Sequence, residues 1–116
     1  RFYKRTETLD IKPVLGDAVR LALRDVLYFE SSARLITAHM LAPNQPLEFY
    51  GQLTTLEQRI THSPFVRIHQ SFLVNMQHIT SVQRRVVTLA DGTVLTCSRA
   101  YYTKAFCTYM TWREGQ

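Results

Sequence analysis

The sequence predicts a mostly β domain, and two observations carry that prediction. Apolar residues recur with period two more often than with helical spacing. Strong turn signals, Pro43-Asn-Gln-Pro46 and Asp91-Gly92, cut those runs into lengths suited to short strands.

Each element follows from local pattern. Val19, Leu21 and Leu23 alternate with Arg20, Ala22 and Arg24, as in a half-buried strand. Val26-Leu-Tyr-Phe29 is a continuous apolar run, which suits a strand buried on both faces. Ser31-Ser-Ala-Arg34 reads as a turn and Leu35–Leu41 as the strand returning from it. Pro43 and Pro46 lack a backbone donor and restrict their neighbours, so the chain breaks there and resumes as a strand over Leu47–Tyr50. Thr54-Thr-Leu-Glu57 fits a capping box, with Leu53, Leu56 and Ile60 on one face of a helix that must end before Pro64.

The next segment, Phe65-Val-Arg-Ile-His-Gln-Ser-Phe-Leu-Val-Asn75, is the most informative. It sets Arg67, His69, Gln70 and Ser71 as a polar loop between two apolar clusters, Phe65/Val66/Ile68 and Phe72/Leu73/Val74. Asn75 reads as structural, holding the turn that follows. Ile79–Val82 and Arg84–Ala90 read as strands, Asp91-Gly92 as a tight hairpin turn and Thr93–Ser98 as the return. In the tail, Tyr102, Phe106 and Tyr109 recur at helical spacing, a stripe that suits core packing better than base stacking.

Charge is divided unevenly. Residues 1–57 hold seven Lys/Arg against seven acids, whereas residues 58–116 hold seven, six of them Arg, against Asp91 and Glu114 alone. The second half therefore carries the whole net charge of +5. Arg is suited to planar, bidentate recognition of phosphate and guanine. With 46% hydrophobic residues the chain can bury the core of one domain. It begins at Arg1 and is read as a piece of a longer protein.

The chemistry of an enzyme is missing. No acid stands near His69 and Ser71 to orient an imidazole, and the four histidines lack metal-ligand spacing. Four glycines form no phosphate-cradling loop, and Cys97 and Cys107 form neither a zinc spacing nor a disulfide framework. No cofactor or metal is expected, and there is no transmembrane segment or membrane partner; a reducing, cytoplasmic setting is the default. Three polar insertions remain: Ser31–Arg34, Arg67–Ser71 and Ser98-Arg99. Each contains an Arg and a Ser at the end of an apolar run, so a β-domain could grip a duplex with loops if all three share an edge. A protein–protein or RNA-binding β-domain is the alternative.

The order of features resembles the LytTR DNA-binding domain of bacterial response regulators. The matching blocks are Asp25-Val-Leu-Tyr-Phe-Glu-Ser31, Leu53-Thr-Thr-Leu-Glu57, the Phe65–Asn75 segment, Ile79, and the Asp91-Gly92 turn leading to Ser98-Arg99. They cover residues 8–106, with 1–7 read as a linker and 107–116 as a tail of helical spacing. Phe29-Glu-Ser-Ser32 and Leu47-Glu-Phe-Tyr-Gly51 also resemble the accessory-gene-regulator-type, quorum-sensing branch.

The resemblance implies about ten short strands in small sheets with one short helix, and loops that enter successive major grooves on one side of the DNA. It nominates Ser32, Ala33 and Arg34 of the first turn, and Ser98 and Arg99, to meet bases or phosphates in two grooves. Gln70, with Arg67, His69 and Ser71 around it, would lie between them near the backbone, and Lys104 joins the DNA-binding set. The first turn is shorter than in some members, leaving its base-reading residue open between Ala33, Arg34 and neither. Gln70 stands where Arg or Asn is frequent. The implied partners are promoter duplex, bound as paired repeats by two copies, and an upstream receiver domain with its sensor kinase.

Overall fold

The computed structural model describes residues 7–116; residues 1–6, within the stretch expected to be a linker, lie outside it. Ten strands and two α-helices follow in the order β1 (Thr8–Ile11), β2 (Val19–Ala22), β3 (Val26–Ser32), β4 (Leu35–Met40), β5 (Leu47–Tyr50), α1 (Leu53–Arg59), β6 (Phe65–His69), β7 (Phe72–Asn75), β8 (Ile79–Gln83), β9 (Val86–Leu89), β10 (Val94–Thr96) and α2 (Arg99–Glu114). The mostly β prediction holds, with one helix more than expected.

A five-stranded sheet in the order β5-β4-β3-β7-β6 forms the middle layer. Strand β3 is central, and its apolar run serves both faces: Phe29 joins the core on one side and Tyr28 the core on the other. Full burial of a side chain like Phe29 is worth about 1.5–3 kcal/mol. The antiparallel ribbon β1-β2 and helix α1 cover the first face through Leu9, Leu21, Leu53 and Leu56. The second face carries the three-stranded sheet β10-β9-β8 and helix α2, through Val87, Leu89, Ala105 and Tyr109.

Several local readings change. The strand beginning at Val19 ends at Ala22, because Leu23–Asp25 close a 3-10 turn whose Leu23 is buried in the first core. The capping box does not form: α1 begins at Leu53, capped by the extended Gln52, which makes no side-chain cap bond. Burying Leu53 and Leu56 together requires that earlier start, and it leaves Thr54 inside the first turn rather than before it. The polar loop is shorter than expected as well. Strand β6 runs through His69, so only Gln70 and Ser71 form the turn.

Helix α2 is the added element. It spans Arg99–Glu114, so the expected tail is its second half and Arg99 opens a helix rather than extending a loop. Tyr109 is buried and Tyr102 packs at the margin of the second core, as the helical stripe suggested. Phe106 is 38% exposed and stacks on Tyr102 at 5.6 Å between ring centroids. Asn75 is fully buried and satisfied: its amide nitrogen donates to the carbonyls of Leu23 and Val26, and its Oδ1 accepts from the Gln77 backbone.

Candidate nucleic-acid interface

The three polar insertions share one edge of the molecule, brought there by main-chain hydrogen bonds. The Ser31 amide donates to the Ser71 carbonyl at 2.9 Å, joining the end of β3 to the β6–β7 turn. The Ser98 amide donates to the Ile68 carbonyl at 2.9 Å, setting the start of α2 beside the same turn. Sequence pattern carries no trace of these two pairings, because strand order is a tertiary property.

The first insertion narrows to Ala33 and Arg34, since Ser31 and Ser32 already belong to β3. Ser32 pairs with Leu35, so two residues make the whole loop. Ala33 takes the left-handed conformation, φ +57°, at a position where glycine is the usual solution. Ser32, Ala33 and Arg34 are all exposed. On the far side of the turn the Gly51 amide donates to the Arg34 carbonyl at 2.8 Å. Tyr50, 72% exposed, therefore stands next to Arg34. The alternation of Leu47–Tyr50, with Phe49 inward, was the signal that could have nominated it.

The second insertion divides into exposed and internal groups. Gln70 is exposed and Ser71 half-buried. His69 turns back: its Nδ1 accepts from the Ser71 amide at 3.0 Å, and its ring lies on Phe72 at 4.9 Å. Arg67 was expected to face the ligand, but its side chain is only 11% exposed. Its Nε donates to the His69 carbonyl at 2.8 Å and Nη2 to the Gln70 carbonyl at 2.5 Å. Nη1 meets the Glu57 carboxylate at 3.0 Å and the Thr54 hydroxyl at 3.4 Å. The guanidinium also sits 5.6 Å from the centre of the Tyr101 ring. Arg67 thus joins α1, the β6–β7 turn and the first turn of α2. Thr54 and Glu57, read from sequence as a helix cap, are its ligands instead.

At the third insertion, Arg99 is exposed in the first turn of α2, and Lys104 is exposed further along the helix. Ser98 holds the cap position without a side-chain bond to the helix. Among the described residues no group of three His, Cys, Asp or Glu side chains could hold a metal ion. None of the described helices is long and apolar enough to cross a membrane. Burial raises the Cys97 thiol above its ordinary pKa, the opposite of what activates a nucleophile.

The molecule is thus a β-domain with an exposed polar edge: main-chain bonds bring together the turns that carry Arg34, Gln70 and Arg99, and Arg67 braces the β6–β7 turn from inside. The comparisons place that class in a family. A model of the LytTr DNA-binding domain matches residues 16–107, and the chain belongs to this family of DNA-binding regulator domains, which are not enzymes. Accessory gene regulator protein A of Staphylococcus aureus strain N315 is 35% identical over 81 residues, 68% of this chain and 32% of that protein. Accessory gene regulator protein A of Staphylococcus epidermidis is 32% identical over 90 residues, 74% of this chain and 36% of that protein. The chain thus spans about a third of the length of these relatives. The LytTr DNA-binding domain of a Bacillus cereus protein described as a methyl-accepting/DNA response regulator superposes with a TM-score of 0.73. That match covers 89% of this chain and 95% of the other at 18% identity, and it establishes the likeness of fold.

Proposed function

We propose that this chain is the sequence-specific, duplex-DNA-binding output domain of a bacterial response regulator that controls transcription. The observation that carries the reading is the shared edge: the Ser31–Ser71 and Ser98–Ile68 main-chain bonds align three polar turns in a chain whose net charge of +5 resides entirely in its second half. In this reading Ser32, Ala33 and Arg34 approach one major groove and Arg99 the next, with the Ser98 hydroxyl buried behind it rather than at the DNA. Gln70 and Ser71 lie at the backbone between them, and Lys104 contacts phosphate beyond Arg99. Arg67 and His69 act from behind, holding the Gln70–Ser71 turn in shape.

Two copies would occupy paired repeats in promoter DNA. A receiver domain precedes the chain in the intact cytoplasmic protein and takes its phosphoryl group from a sensor kinase. The accessory-gene-regulator relatives favour quorum-sensing genes as targets.

Titration of promoter duplex over a range of salt tests the proposal. With the three cations placed at the duplex engaged, Arg34, Arg99 and Lys104, log K against log[salt] falls with a slope of about −3. Matched RNA should bind more weakly. A flat salt dependence, or a preference for the RNA, would overturn the assignment.

A further inference from the structure

We infer that the β8–β9 turn is a fourth DNA-facing element, with Arg84 at its tip gripping a phosphate beyond the groove met by Arg99. The inference rests on the duplex-DNA reading above and extends its footprint to residues outside the three insertions.

Position is the first argument. The Cys97 amide donates to the Arg85 carbonyl at 2.7 Å, and Arg85 Nη1 donates back to the Cys97 carbonyl at 3.4 Å. These bonds fasten the turn to the residue before Ser98, whose own amide is fixed to Ile68 at the edge. The series of connected turns therefore runs from Ala33-Arg34 through Gln70-Ser71 and Ser98-Arg99 to Arg84-Arg85. Arg85 is half-buried by its attachment, whereas Arg84 is exposed.

Conformation is the second. Gln83 pairs with Val86, so the turn has two residues, and Arg84 adopts φ +58°. Ala33 and Arg84 are the two residues other than glycine with positive φ among those described, and both hold the first position of a two-residue hairpin. The two-residue turn itself demands positive φ there, usually met by glycine, so Arg84 holds a cation at the tip at some cost in backbone strain. Glycine would satisfy the turn and leave no charge at its tip.

Charge is the third. The two acids in residues 58–116 are Asp91 and Glu114. Asp91 lies past the far end of β9, bonded to Thr93, and Glu114 lies in the last turn of α2. Neither makes an ion pair with Arg84 among the described residues.

The test measures binding of the chain to a labelled random-sequence duplex, because a phosphate contact is independent of sequence. Arg84→Gln removes the charge and keeps the strained backbone; Arg84→Gly removes both. Each should weaken binding roughly 5- to 10-fold near 0.1 M salt and make the salt slope shallower by about one unit. Arg84→Lys should restore both. Arg84→Gly should melt no lower than the parent, which separates lost contact from lost fold. If the parent binds with steep salt dependence while Arg84→Gln and Arg84→Gly match it in affinity and slope, the turn does not meet DNA and this inference alone fails. If the parent shows no salt-dependent binding, the DNA reading itself fails and takes this inference with it.

Discussion

Arg67 and Gln70 are joined from side chain to main chain: Nη2 of the arginine donates to the glutamine carbonyl at 2.5 Å, closing the β6–β7 turn over the residue that made it. With Glu57 on its other arm, Arg67 is a brace within the fold. Arg67→Ala should destabilise the domain by about 2 kcal/mol, since it leaves the turn carbonyls and a carboxylate without their charged partner. DNA affinity should fall with it, but the salt slope should stay as in the parent, because no phosphate contact is lost. A slope shallower by a full unit would instead make Arg67 a direct contact.

Gln70 is exposed on that braced turn and packs against nothing in either core. Gln70→Ala should leave the melting temperature nearly unchanged and weaken specific binding by about 1 kcal/mol, the scale of one hydrogen bond. Gln70→Arg should tighten binding and steepen the salt dependence by about one unit. Equal affinity for both variants and the parent would turn this edge away from the duplex.

Arg99 has a fixed backbone, as the first residue of a 16-residue helix, and an exposed side chain. Arg99→Ala should cost about 1–3 kcal/mol and relax the preference at one base pair if the guanidinium reads guanine. Selection from a randomised operator pool checks this; a uniform loss over all sequences would reassign Arg99 to phosphate.

Ala33 offers a measurement of stability free of lost contacts. Its φ of +57° is strained for a residue with a Cβ, so Ala33→Gly should raise stability by roughly 0.5–1 kcal/mol in chemical denaturation. A fall in stability would mean that the alanine methyl packs in a way its exposure does not suggest.

Much of the fold was legible because its strands obey simple alternation. The run Val26–Phe29 declared a strand buried on both sides, and Asp91-Gly92 declared its hairpin. Thr54 and Glu57 misled because a capping box and a pair of arginine ligands use the same residue types; only tertiary contact with Arg67 tells them apart. Arg67 and His69 were read as loop residues because their polarity masked the inward alternation of Val66 and Ile68. The shared edge could not be read at all, since amide-to-carbonyl pairings such as Ser31 with Ser71 leave no mark on side-chain identity.

Those pairings have a consequence for how such a domain changes over time. They use atoms that every residue possesses except for the amide proline lacks, so Arg34, Gln70 and Arg99 can be exchanged without disturbing the bonds that space them. Neighbouring strands lie about 4.8 Å apart, and that pitch is set by the sheet rather than by the loops. The residues at the turn tips are therefore free to drift by single substitution. The spacing of the tips is not, because changing it would require a different order of strands.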